Sequence, residues 1–205
     1  MRFPSGCRSS QSSQAGLYPP YRRLRRARCA VTVPPVNPFG PIFQALQSTG
    51  VRYVVVGGVA VNLHGHQRFT KDVDLVIDLV PEQALKALES LQSIGYKPRI
   101  PVKLADFADP ATRASWIRDK GMMVFQMYND AIHFSVDVFV QYPLDFEELW
   151  HEATQVELPG STLRIASIDH LILMKREAAR PQDMADIEML NKLKQLIAEQ
   201  ERHSK

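Results

Sequence analysis

Val51 to Val56 is a continuous run of strand-forming residues, broken only by Arg52, and it ends abruptly on Gly57-Gly58. Such a run marks a buried strand. From Val59 to Leu63 the spacing turns helical, and Gly65 supplies a stop. A buried strand that turns through two glycines into a helix fits a sheet with helices packed on it, and little else. The rest of the chain agrees. Asp72 to Ile77 alternates as a second strand, and Pro81 opens a helix over Glu82 to Ser93. Asp109-Pro110 starts another helix, ended by Gly121. Met122 to Met127 and His133 to Val140 read as strands joined by a turn at Asn129-Asp130, and a second hairpin is expected around Pro159-Gly160. Ser167 caps a helix through Ala178, and Pro181 opens the last one. The expected class is α/β or α+β, one small mixed sheet flanked by helices, without internal repeats.

Length allows one domain and a tail: 205 residues are too few for two full domains. Residues 1–36 hold seven Arg, both cysteines (Cys7 and Cys29) and many Ser and Pro, and they read as a disordered basic tail. Three readings of that tail stay open: a solvated extension, a nucleic-acid arm built on Arg22, Arg23, Arg25, Arg26 and Arg28, or a transit peptide. Residues 37–205 form the expected domain, with 161–205 as its C-terminal helical part. That domain has eighteen basic and twenty-two acidic residues, a net charge of about −4 that speaks against a large nucleic-acid surface. It has no cysteine, which excludes disulfides and thiolate metal sites and fits a reducing cytoplasm. No apolar run is long enough to span a bilayer.

Three carboxylates carry the chemistry. Residues two apart on a strand face the same way, so Asp72 and Asp74 leave the sheet together. Two unit charges about 4 Å apart repel by roughly 4 kcal/mol at an effective dielectric of 20. A hard divalent cation offsets that cost, and oxygen ligands suit magnesium or manganese. The alternative is a strand end with two solvated aspartates. Asp137 is a lone acid in the apolar strand Phe134-Ser135-Val136-Asp137-Val138-Phe139-Val140. It would complete a two-metal site, or it stands on an edge strand. The Gly57-Gly58 junction suits a phosphate, because glycine lets the backbone approach closely and a following helix offers free N–H groups; a plain tight turn is the alternative. Asp78, in phase with the pair, belongs to the strand end. His64 and His66 have no visible ligand neighbours and read as helix-end or loop residues. Trp116 and Trp150 read as packing residues.

Gly57-Gly58, His64-Gly65, the stretch Arg68-Phe69-Thr70-Lys71-Asp72-Val73-Asp74-Leu75 and then Val136-Asp137-Val138-Phe139 together resemble the minimal nucleotidyltransferases of the DNA polymerase beta superfamily. Within it the likeness is to the AbiEii-like group, which includes toxins of toxin–antitoxin systems. It covers about residues 40 to 195. The stretch Lys175-Arg176-Glu177-Ala178-Ala179-Arg180-Pro181-Gln182-Asp183-Met184-Ala185-Asp186-Ile187 looks like that family's closing motif. The resemblance implies a nucleotidyltransferase fold whose C-terminal helices close a cleft. It implies two Mg2+ (or Mn2+) ions held by Asp72, Asp74 and Asp137. The nucleotide would lie against Gly57 and Gly58. Arg68, Lys175 and Arg180 suit a triphosphate, although Arg180 could instead pair with Asp183 or Asp186 to lock the helix corner.

The expected activity is metal-dependent transfer of a nucleoside monophosphate from a nucleoside triphosphate to an acceptor hydroxyl. The acceptor stays open between an RNA end, a protein and a small molecule. A toxin–antitoxin role would add a cognate antitoxin-type protein as partner. The alternative is a non-catalytic module that keeps the fold for binding or regulation.

Overall fold

The computed structural model describes residues 39–203; the basic tail of residues 1–36, with Cys7 and Cys29, lies outside the described residues. Seven strands make one mixed sheet in the order β3-β4-β5-β2-β1-β7-β6. They are β1 (Tyr53–Val56), β2 (Asp72–Ile77), β3 (Lys97–Pro98), β4 (Val124–Asn129), β5 (Phe134–Phe139), β6 (Thr154–Leu158) and β7 (Ser161–Ile165). The helices are α1 (Gly40–Ser48), α2 (Gly57–Leu63), α3 (Pro81–Ser93), α4 (Leu104–Ala108), α5 (Pro110–Lys120), α6 (Phe146–Glu152), α7 (Ile168–Ala178) and α8 (Pro181–His203). The class expected from the sequence is thus the observed one. β3, α4 and α6 were not foreseen: β3 is two residues long, and α4 and α6 have five and seven, too short for a periodic signal.

β1 and β2 form the centre. Tyr53, Val54, Val55 and Val56 are all buried, as a strand covered on both faces requires. β2 runs antiparallel to β1 and parallel to β5, and β7 runs parallel to β1. The region from 161 therefore begins with a strand of the central sheet, and its helical part starts after Ser167, whose Oγ accepts from the His170 N–H.

Two hairpins differ in how they close. β6 and β7 pair across Pro159-Gly160, with Gly160 at φ 81°, as the dipeptide foretells. β4 and β5 do not turn at Asn129-Asp130. Asn129 pairs with Phe134, so the loop is Asp130 to His133, with His133 at φ 57°. A two-residue turn would have set Met122 opposite Asp137; the longer loop sets Gln126 there.

The core lies between the sheet and its helices. Ile42, Phe43 and Leu46 of α1, Ala84, Leu88 and Leu91 of α3, and Leu171 of α7 are almost fully buried. Trp116 stacks on Phe125, and Trp150 lies on Phe146 and under the guanidinium of Arg164, so both indoles pack as expected. His64 Nε2 donates to the Ala166 carbonyl at 2.8 Å, and burial lowers its pKa; it closes the end of α2. No helix of the described residues is long and apolar enough to cross a membrane.

Candidate active site

Strand register brings the three aspartates together. Asp74 of β2 lies directly beside Asp137 of β5, and Asp72 lies beside Ser135, two residues along the same strands. Residues in register on neighbouring strands share a face, so all three carboxylates leave the sheet on one side. Asp74 is also the cross-strand partner of Val56, the last residue before the glycines. The acidic face and the glycine elbow are therefore one locality.

Each acid is held. The Thr70 hydroxyl donates to Asp72 Oδ1 at 3.0 Å. Gln126 Nε2 donates to Asp137 Oδ1 at 2.8 Å, across the register set by the long hairpin loop. Burial above all, then the charges of Asp72 and Asp137, push the Asp74 carboxyl up to about 7; the Gly58 N–H and the Lys175 ammonium pull the other way. Burial also raises Asp137, against the Gln126 amide and the positive charges of Arg180 and Arg99. This is a face whose carboxylates cannot all ionise comfortably without added positive charge. The donor set is oxygen only, the chemistry that magnesium and manganese prefer.

Gly57 is required twice over. Its φ is 61°, and a Cβ there would come within 1.9 Å of Asp74 Oδ2. Any side chain would displace the carboxylate. At Gly58 a Cβ would meet Arg68 Nη2 at 2.5 Å and Thr70 Oγ1 at 2.8 Å. Arg68 thus lies flat against the elbow. Asn62 fixes its backbone at both ends, donating to the Arg68 carbonyl and accepting from the Arg68 N–H.

The C-terminal helices reach the same place. Asp186 of α8 is buried, and its Oδ2 accepts from Lys175 Nζ at 2.6 Å and from Arg68 Nη1 at 3.1 Å. Lys175 also binds Asp183 at 3.1 Å. Lys175 and Arg68 therefore carry partly compensated charges. Arg180 has the exposed side chain of the three, and its Nε is 3.8 Å from Asp183 Oδ2. Both uses weighed for Arg180 are open to it: a loose ion pair to Asp183 at the helix corner, and an exposed guanidinium whose charge is felt at Asp137.

Sequence reasoning missed Gln126, Thr70, Asn62, Arg99 and the bridging role of Asp186. Gln126 had a signal, a polar residue inside the alternation Val124-Phe125-Gln126-Met127, but only the true register gives it a partner.

The model of a family described as a nucleotidyl transferase of unknown function (DUF2204) matches residues 37–204. The chain belongs to that family. It is a nucleotidyltransferase-type enzyme with the fold of that class. Among solved structures it is similar to the lincosamide antibiotic adenylyltransferase LnuA in its lincomycin-bound form. That match has a TM-score of 0.52 and 16% identity, over 74% of this chain and 93% of that one. The antibiotic-resistance factor ANT(2'')-Ia matches at TM-score 0.49 and 14% identity, over 81% and 91%. A putative nucleotidyltransferase (TM1012) from Thermotoga maritima matches at 0.44 and 16%, over 77% and 89%. No curated protein matches the chain.

Proposed function

We propose that this enzyme moves a nucleoside monophosphate from a nucleoside triphosphate to an acceptor hydroxyl, with Asp72, Asp74 and Asp137 holding divalent cations. The observation that carries the proposal is the register of Asp74 beside Asp137 and across from Val56, with Asp74 pushed up to about 7 by burial and by the charges of Asp72 and Asp137. Bound magnesium would supply the missing charge, lower the pKa of the acceptor hydroxyl and stabilise the leaving pyrophosphate.

The chain's own groups do the positioning. Gln126 and Thr70 fix Oδ1 of Asp137 and of Asp72, so each carboxylate keeps one orientation. Gly57 and Gly58 let the phosphates approach the backbone, and the Gly58 N–H exchanges its bond to Asp74 for one to phosphate. Arg68 supplies a cation at the elbow, oriented by Asp186. Arg180, exposed and electrostatically felt by Asp137, meets the substrate from the cleft mouth. Lys175, buried between two aspartates, tunes the Asp74 carboxyl more than it contacts ligand. Transfer then rests on orientation and fixed charge.

The acceptor belongs to the proposal as a hydroxyl compound only. A finer version, resting on the overall AbiEii-like resemblance, adds a cognate antitoxin-type partner; co-purification with the product of an adjacent gene tests it. For the central claim the assay is incorporation of labelled nucleotide with magnesium. Wild type should label its acceptor, and Asp74→Ala should lose at least a hundredfold. Equal labelling by both proteins overturns the mechanism.

A further inference from the structure

A second group of metal-type ligands lies away from the three aspartates. Glu148 and Glu152 are one turn apart on α6, and His170 stands in the first turn of α7. One ligand atom of each falls within 4.8 Å of the others, and this is the tightest such trio among the described residues. Neither element contributes these side chains to the nucleotidyl site.

The histidine is the telling member. Its side chain is only 8% exposed; Nδ1 is buried without a partner, and the ring's polar contacts are those of Nε2. Nε2 is directed between the two glutamates, 3.4 Å from Glu152 Oε2 and 3.7 Å from Glu148 Oε1. Those distances separate two explanations. A protonated histidine bonded to a carboxylate closes to about 2.7–2.9 Å. Ligand atoms about 2.0–2.2 Å from a tetrahedral ion lie about 3.3–3.6 Å from one another. The Nε2–Glu152 spacing falls in the range for a coordination shell and the Nε2–Glu148 spacing lies just outside it, so a small shift of the exposed Glu148 side chain would let all three meet one ion. One imidazole and two carboxylates suit zinc or a neighbouring first-row divalent ion, whereas magnesium prefers an all-oxygen shell.

We propose that Glu148, Glu152 and His170 bind one divalent transition-metal ion, zinc foremost, which clamps α6 to the first turn of α7. The site is independent of the aspartate cluster and of the reaction assigned to it. Because three protein ligands leave the fourth position to water, affinity should be moderate and the ion exchangeable.

The test is zinc titration of the tag-free chain by calorimetry in excess magnesium. Both glutamates are exposed, so Glu148→Gln and Glu152→Gln leave packing intact. Wild type and Asp74→Asn should each bind one zinc ion with the same moderate affinity. Each glutamine variant should bind at least tenfold more weakly, with magnesium-dependent nucleotide labelling unchanged. Zinc should raise the melting temperature of wild type and not that of Glu152→Gln. His151, exposed and beside Glu147 at 3.8 Å, is the competing surface ligand, and His151→Asn should keep the site. Zinc affinity untouched in both glutamine variants, lost in His151→Asn, or absent from wild type would overturn the proposal.

Discussion

Asp74 concentrates the electrostatic tension of the molecule in one carboxyl group. Its ordinary value is 3.8, and the fold raises it to about 7. A group raised on folding favours the folded state below its unfolded pKa and has lost that contribution once pH passes the folded value. Metal-free protein should therefore lose stability as pH rises from about 4 to about 7 through this residue. His64, lowered by burial, works in the opposite sense, its contribution disappearing as pH falls below 6.5. Comparing wild type with Asp74→Asn cancels the histidine. The melting temperature of chelator-treated wild type should fall relative to the variant as pH rises across that window, and magnesium should restore it. Parallel curves would show that Asp74 keeps an ordinary pKa. At Gly57, alanine meets both a left-handed φ and the Asp74 carboxylate. Gly57→Ala should cost about 1–3 kcal/mol of stability and abolish nucleotide labelling, measured by denaturant unfolding beside the labelling assay.

Among the elements, α8 matters for what its first turns hold. Asp186 ties α8 to α7 through Lys175 and to the glycine elbow through Arg68. Replacing it leaves Arg68 without its acid and Lys175 with Asp183 alone, in a part-buried place. Asp186→Ala should cost about 3–5 kcal/mol, and Lys175→Met on that background should recover part of the loss. Additive losses in that cycle, read from urea unfolding, would mean the two residues do not act as a pair. The corner before α8 carries strain, since Ala179 sits at φ 49° without being glycine. Ala179→Gly should stabilise by about 1 kcal/mol, a melting shift of about 2–4 °C. Legibility also varied by element. β2 was readable to the residue because Asp-Val-Asp-Leu-Val-Ile alternates cleanly, and α3 because proline and glycine bracket it. The β4–β5 loop was not, because Asn129-Asp130 is as good a turn signal as the true one, and His133 in a left-handed conformation leaves no trace in composition. That error hid Gln126. Asp186 was visible as an acid on a helix, but its bonds to residues 11 and 118 positions away belong to tertiary packing.

At the scale of the whole molecule, the sheet places its first and last strands side by side. β1 lies between β2 and β7, and β7 is the last strand in sequence. Nucleotide and magnesium together should bind only the folded state. At a hundredfold excess over the dissociation constant that adds about 2.7 kcal/mol, several degrees of melting temperature, and indifference to both ligands would argue for a non-catalytic module instead. The central position of β7 has a further consequence during synthesis. A ribosome that has released everything up to residue 160 has produced β1 with one flank bare, and every residue of that strand is apolar. Unpaired strand edges of this kind invite association with other chains. A product cut short before its final strand is therefore a candidate for chaperones and proteases, and it also lacks the closing helices with Lys175, Asp186 and, at the corner between them, Arg180.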